Sequence, residues 1–332
     1  MRAMKQRICF LYAGGTIGMQ PTAHGLAPVP GVMHAALAPL LPADIDWTLA
    51  EYDPLIDSSN ATPADWLRLA RDIDARRDAA DGFVVLHGTD TLAHTASALA
   101  CLLAGLGKPV AVTGSMRPLF EAGSDAPANI RLAVSAVRQA GLCEVVVPFA
   151  GRVWRGCRVR KAHSLADAAF VAPNDLPLFD AGGWHPERFA APSGVRRIVP
   201  ESLPAVALVW LAPGATLDAA VATLALPHLA GAVLAGYGAG NVPDALAPHL
   251  LAAAGRGVVL ATVTQAWQGA VAMGAYAASQ ALVAAGVVPL ADMTPEAALA
   301  RLTVLLATET DPQHVRQQLA GGRPGEWSSV PA

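Results

Sequence analysis

The feature that most constrains this chain is an alternation. Short, near-continuous apolar runs of strand length are each followed by a segment with helical periodicity. Residues 8–13 (ICFLYA), 83–86 (FVVL), 109–113 (PVAVT) and 145–147 (VVV) are such runs. Strands that are apolar on both faces are covered by helices on both sides, the arrangement of parallel sheets. Between the runs, Thr62-Pro63-Ala64-Asp65 places an N-cap hydroxyl, a first-turn proline and an early acid in order. It predicts a helix start, with the helix running to residue 80. Further helices are expected over 91–106, ended by Gly107 and Pro109, and over 130–140, stopped by Gly141. From 179 to 204 the periodicity dissolves into Gly182-Gly183, Pro186, Pro192-Ser193-Gly194 and Pro200, which reads as a linker over 181–204. Beyond it, strands at 206–210, 232–234 and 258–262 alternate with helices at 217–226, 244–254 and 294–306. The expectation is two α/β domains with mainly parallel sheets, a larger one over 1–180 and a smaller one over 205–332.

Composition narrows the partners. The 332 residues suit about two domains, and 53% hydrophobic with 15% charged residues excludes disorder and coiled coil. With 23 Lys and Arg against 26 Asp and Glu, no basic balance draws the chain to nucleic acid or anionic lipid. Residues 219–243 and 257–291 carry no Asp, Glu, Lys or Arg, yet Pro, Gly and Gln interrupt both. A membrane span needs about 20 continuous apolar residues, so buried strands and Ala-rich helices fit better. The N-terminal Met1-Arg2-Ala3-Met4-Lys5-Gln6-Arg7 and the apolar run after it mimic a short signal peptide. That run leads into Gly14-Gly15-Thr16 rather than a cleavage site, and reads as the first buried strand. Cys9, Cys101, Cys143 and Cys157 are scattered without a C-x-x-C pair. They read as free thiols in a reducing compartment, the cytoplasm.

Ligands of open parallel sheets bind beyond the carboxyl ends of the strands. Two expected strand ends concentrate polar residues: Tyr12-Ala13-Gly14-Gly15-Thr16-Ile17-Gly18-Met19 and Leu86-His87-Gly88-Thr89-Asp90-Thr91-Leu92. Gly-Gly-Thr after a strand is either a tight turn or the mounting of a nucleophilic hydroxyl. Thr89, Asp90 and Thr91 either cap the next helix or face a ligand. A threonine hydroxyl is a poor nucleophile without a nearby base or cation, and lysines are scarce: Lys5, Lys108 and Lys161. Lys161, at the end of Arg158-Val159-Arg160-Lys161, lies either on a solvated face or beside an aspartate, where it can serve proton transfer. The dinucleotide and P-loop fingerprints, the G-x-S-x-G elbow and H-E-x-x-H are all missing. No cofactor or metal is therefore expected, and His87 and His94 read as structural.

The two signatures, Ala13-Gly14-Gly15-Thr16-Ile17-Gly18-Met19 and His87-Gly88-Thr89-Asp90-Thr91-Leu92, resemble those of bacterial-type L-asparaginases. Asp57-Ser58-Ser59 and Lys161-Ala162-His163 are similar to the cytoplasmic type I branch. The likeness continues through Val112-Thr113-Gly114-Ser115, Ser124-Asp125 and Tyr237-Gly238-Ala239-Gly240-Asn241. It implies a flavodoxin-like first domain and a threonine amidohydrolase converting L-asparagine and water to L-aspartate and ammonia. Thr16 would attack the amide and form an acyl-enzyme, and Lys161 and Asp90 would tune the hydroxyl of Thr89. Asp90 would also meet the substrate ammonium, Ser58 the carboxylate, and Asp57, Ser59 and Ser115 would line the pocket. A related amidohydrolase acting on glutamine or another amide, and a catalytically weak amino-acid-binding homologue, are the competing readings. The resemblance also implies a homodimer or homotetramer.

Two departures from the family pattern bear on function. The family's loop tyrosine aligns with Leu26, which neither donates nor accepts a hydrogen bond; either Tyr276 substitutes for it, or Tyr276 merely packs and activity is weak. An effector site for asparagine uses an arginine and a threonine where this chain has Ala235 and Arg160. Loss of the bidentate clamp predicts no asparagine allostery there. A sigmoidal rate curve that turns hyperbolic on altering residues around Arg160 and Ala235 would overturn that.

Overall fold

The computed structural model describes residues 5–22, 25–191, 198–273, 280–323 and 325–328. They divide into two compact units. One holds the chain up to Ala172 with Leu176–Val199, and the other holds Pro173–Asp175 with the chain from Pro200 on. The first unit runs β1 (Gln6–Gly14), the hairpin β2 (Met19–Thr22) and β3 (Gly25–Pro28), α1 (Met33–Leu37), β4 (Ile45–Ile56), α2 (Pro63–Ala75), β5 (Gly82–Leu86) and α3 (Leu92–Leu102). It continues through β6 (Val110–Thr113), α4 (Ala126–Val137), β7 (Val145–Phe149), β8 (Arg152–Arg155), β9 (Arg160–Lys161), β10 (Phe170–Val171), β11 (Phe179–Asp180) and β12 (Gly183–Trp184).

Among the described residues its main sheet has the order β12-β11-β8-β7-β6-β5-β1-β4. From β7 to β4 neighbouring strands pair in parallel, while β8, β11 and β12 add an antiparallel margin. The fold class is the expected α/β one. Phe10, Tyr12, Val84, Leu86 and Ile130 belong to a continuous core cluster. Each large apolar side chain so buried contributes roughly 1.5–3 kcal/mol.

The alternation did not foretell β4. It is the outermost strand, its exposure is mixed along its length, and Asp46, Thr48, Glu51, Asp53 and Pro54 break up the apolar run by which buried strands are recognised. The expected linker is also corrected. Asp180 and Gly183 pair across a tight hairpin in which Asp180 Oδ1 accepts from the Gly182 N–H at 2.8 Å. Trp184 packs between Phe179 and Phe189. The Gly-Gly pair therefore turns a hairpin within the stretch read as a linker, and the first unit extends to Val199. The helix expected to reach residue 80 stops at Ala75, and Lys108 Nζ donates to the carbonyls of Arg77 and Ala80 beyond it. The helix expected from residue 130 starts at Ala126, because Pro127 occupies its first turn.

The second unit runs β13 (Ala205–Trp210), α5 (Thr216–Leu224), β14 (Leu229–Gly236), α6 (Ala247–Gly255), β15 (Val259–Thr264), α7 (Gln280–Ala284), β16 (Val288–Pro289), α8 (Pro295–Thr308) and α9 (Pro312–Gly321). Its sheet, β13-β14-β15-β16, is parallel throughout. Val209, Leu234, Leu250 and Leu260 form its core. No helix among the described residues is long and apolar enough to cross a membrane.

Candidate active site

Four parallel strands end side by side in the first unit, and their carboxyl ends carry the polar residues. At the end of β1 the chain turns through Gly14 (φ 131°) and Gly15 (φ 88°) into a short 3-10 turn over Thr16–Gly18. A Cβ on Gly15 would collide with the backbone of Gly88, just beyond β5. A Cβ on Gly88 would in turn meet the side chain of Ser58, just beyond β4. Both glycines are thus required by close approach, and together they stack the β1, β5 and β4 loops in contact. A Cβ on Gly114, beyond β6, would strike the His87 carbonyl and lie 3.7 Å from Thr89 Cγ2.

The hydroxyl of Thr89 is buried and accepts a hydrogen bond from Lys161 Nζ at 2.9 Å. Lys161 Nζ also pairs with Asp90 Oδ1 at 2.6 Å. β9 positions the lysine, which faces Phe170 on β10. The pair is unevenly exposed, the lysine side chain 20% and the aspartate 61%. Solvent-screened ion pairs of this kind add little stability, so the arrangement matters for the hydroxyl it holds. An ammonium can only donate. Thr89 therefore accepts from Lys161 and keeps its own proton for another partner.

Asp57 caps the turn Ser58–Asn60, accepting from the Ser59 N–H at 3.1 Å. Ser58 is buried, while Asp57 and Ser59 are exposed. The Thr91 hydroxyl donates to the Ser58 carbonyl at 2.7 Å and ties this turn to the first turn of α3. Ser115 is buried, and its hydroxyl donates to the Arg117 carbonyl at 2.5 Å. Thr16 is half-buried, and its hydroxyl makes no hydrogen bond among the described residues. Thus Lys161, Thr89 and Asp90 are joined directly. Thr16, Ser58 and Ser115 are brought to the same edge through backbone packing. Leu26 is 54% exposed on β3, opposite Pro21 of β2. Tyr276 lies outside the described residues. Ala235 is fully buried within β14 between Trp210 and Val263.

Sequence reasoning gave no role to the residues that brace this edge. Asp125 accepts from the N–H groups of Met116 and Arg117 at 2.9 and 3.0 Å. Asn129 donates to the Gly114 carbonyl at 3.0 Å and accepts from the Ala150 N–H at 2.9 Å. The Leu119 N–H donates to the Ile17 carbonyl at 3.0 Å, linking the loop after β6 to the Thr16 turn. The available signal was the spacing of Asp125 and Asn129, one turn apart on a helix face. His87 is fully buried, and burial pushes its pKa below the ordinary imidazole value. Tyr12 is also fully buried beneath Gly18, and its hydroxyl has no hydrogen-bond partner among the described residues. Burial and the nearby Glu51 carboxylate push its pKa up. Among the described residues no group of three or more His, Cys, Asp or Glu is arranged to hold a metal ion.

Residues 7–189 match the family model described as Asparaginase, N-terminal, and residues 205–319 match the Glutaminase/Asparaginase C-terminal domain. The chain is 42% identical to L-asparaginase 1 of Escherichia coli strain K12, over 97% of this chain and 98% of that protein. The crystal structure of L-asparaginase I from Vibrio cholerae superposes with a TM-score of 0.84 at 37% identity, covering 98% of this chain and 99% of the other. The thermostable L-asparaginase of Thermococcus kodakarensis superposes with a TM-score of 0.87 at 31% identity, covering 98% and 100%. With both domain models in order and full-length relatives at this identity, the chain belongs to the bacterial-type L-asparaginase family, alongside its type I enzymes.

Proposed function

We propose that the protein is an L-asparaginase that hydrolyses the side-chain amide of L-asparagine through a threonine ester. The observation that carries this reading is the Lys161–Thr89–Asp90 cluster at the strand edge where the Thr16 turn ends. Thr16 Oγ1 attacks the amide carbon, and its proton leaves with the departing ammonia. The resulting acyl-enzyme is cleaved by water, which releases L-aspartate and restores the Thr16 hydroxyl. Thr89, one of its two lone pairs engaged by Lys161, relays the attack proton: it gives its own to the leaving nitrogen as it takes up the one from Thr16, and it later orients the water. One Asp90 oxygen holds Lys161, which leaves the other for the substrate ammonium. Ser58 and adjacent N–H groups take the α-carboxylate, so both charges of the zwitterion are matched away from water. Asp57, Ser59 and Ser115 shape the pocket.

Ammonia release from L-asparagine and L-glutamine tests this, with Thr16→Ala and Lys161→Met alongside. Asparagine turnover that both substitutions abolish supports the reaction and the two roles. Release from glutamine alone favours the related amidohydrolase, a reading for which the bare, exposed Leu26 speaks. Binding of asparagine without release favours an amino-acid-binding homologue. Loss of turnover in Tyr276→Phe would make that tyrosine the substitute for the absent loop hydroxyl. The proposed assembly is a homodimer or homotetramer, to be measured by light scattering. The proposed compartment is the cytoplasm, in keeping with four cysteines of which none forms a disulfide among the described residues.

A further inference from the structure

Both ring nitrogens of His87 are engaged although the ring is sealed from solvent. Nδ1 lies 2.7 Å from the Gly88 carbonyl oxygen and Nε2 lies 3.1 Å from Thr95 Oγ1. A carbonyl only accepts, so Nδ1 carries the proton, Nε2 is bare, and the Thr95 hydroxyl donates to it. The His87 backbone is fixed as well: its N–H donates to the Thr113 carbonyl at 2.8 Å, and its own carbonyl abuts Gly114. Thr91, the N-cap of α3, and Thr95 within it lie one turn apart. The first holds the Ser58 carbonyl and the second holds the His87 ring.

The consequence falls on the next peptide. Gly88–Thr89 is trans, and a trans peptide directs its C=O and N–H to opposite sides. Drawing the Gly88 carbonyl onto the buried ring turns the Thr89 N–H away from the core, and that N–H has no acceptor among the described residues. We infer that His87 is a positioning residue: its Nδ1–H···O=C bond to Gly88 sets the Gly88–Thr89 peptide. The Thr89 N–H is thereby left open to the negative charge that develops on the attacked amide, and the Thr89 hydroxyl stays against Lys161. The role rests on the proposed amide hydrolysis and extends it to a group that never touches substrate. It also explains a histidine where a buried apolar residue would otherwise serve: only a fixed donor can hold that carbonyl.

The test separates the two ring nitrogens. In His87→Asn the side-chain amide N–H can take the place of Nδ1–H. In His87→Gln the amide reaches the Nε2 position and leaves the Gly88 carbonyl without its donor. Expected for His87→Gln is a fall in kcat of about tenfold to a hundredfold, with KM and L-aspartate affinity within about threefold. Expected for His87→Asn is recovery of most of kcat. Equal kcat for the two variants, or losses that follow melting temperature alone, would overturn the assignment. A second readout does not need turnover. Nitrogen-15 spectra of the imidazole in the wild-type protein must show the Nδ1–H tautomer, and an Nε2–H or rapidly averaged ring overturns the role. Silence of the wild-type chain toward every amide would instead count against the proposed reaction, and the tautomer would still decide the positioning role.

Discussion

The two units carry parallel sheets of the same kind, yet their carboxyl edges are finished differently. In the second unit the polar groups at the strand ends satisfy one another. Gln265 Nε2 donates to the carbonyls of Leu211 and Ala235 at 2.6 and 2.7 Å, beyond β13 and within β14. Thr264 Oγ1 donates to the Gly238 carbonyl at 2.5 Å and accepts from the Ala266 N–H at 2.9 Å. Tyr237 and Asn241 close their turn with reciprocal bonds of 2.8 Å. In the first unit the corresponding edge leaves the Thr16 hydroxyl, the Thr89 N–H and the Thr89 proton without a partner among the described residues. A parallel sheet thus supplies a polar edge in both units. Chemistry needs an edge with hydrogen-bonding capacity left over, held in place by neighbours that are themselves satisfied.

The most severe way to break this comparison is to remove a free group. Thr16→Ala should cut asparagine turnover by at least about a thousandfold. Its melting temperature should stay near that of the parent, because the hydroxyl holds nothing together. Turnover within tenfold of the parent would place the nucleophile elsewhere.

Next in size is the stacking of the loops. Gly15→Ala places a Cβ against the Gly88 backbone at φ 88°, so it combines strain with a collision. The expected loss is about 3 kcal/mol or more, accompanied by loss of turnover. Gly25→Ala is the companion variant. Its φ of 107° brings the same kind of strain, but nothing among the described residues lies within 4 Å of the added methyl, so about 1–2 kcal/mol is expected. Urea unfolding of both measures the difference, and equal costs would show that loop contact contributes nothing.

The second unit gives the converse. Gln265→Ala strips a donor from two carbonyls and should cost about 1–3 kcal/mol, while kcat/KM stays within about threefold. A loss of kcat/KM larger than the loss of stability would mean that this edge, too, takes part in the reaction.

These contrasts also explain what was legible in the sequence. The turns at 14–18 and 87–91 stood out because glycines and hydroxyls concentrate there directly after apolar runs, at the strand ends where ligands of parallel sheets bind. The Asp57-Ser58 arm was readable only through family resemblance. Its carrier, β4, is an edge strand whose partly exposed residues break the apolar pattern. Pairing of Lys161 with Thr89 and Asp90, some 70 positions away, was likewise beyond periodicity. It depends on β9 being folded back by β10, and two-residue strands leave no periodic trace. His87 read as structural, and its bonds are indeed internal; what the sequence lacked was the direction in which the next peptide is turned.

The smallest expected effect concerns that histidine and pH. Burial lowers the His87 pKa from an ordinary value of about 6.5, so the folded ring stays neutral while the unfolded ring takes up a proton. The unfolded state therefore binds more protons as pH falls below about 6.5, and stability declines with falling pH. The decline persists until the lowered folded-state pKa is reached, with a slope of at most about 1.4 kcal/mol per pH unit from this group. Above that window both states are neutral and His87 adds no slope. The exposed Asp44 and the half-buried Asp81 and Asp180, whose pKa values are lowered chiefly by hydrogen bonds with Arg138, Arg7 and the Gly182 N–H, also favour folding at higher pH. They titrate below about 3.8 and so leave the upper part of the window to the histidine. Urea unfolding of the wild type and His87→Asn between pH 7 and pH 5 isolates the term. The substitution should flatten the slope while preserving the Gly88 contact. An unchanged slope would show that the ring accepts its proton in the folded state, which would require Nε2–H to face a Thr95 hydroxyl turned round to accept.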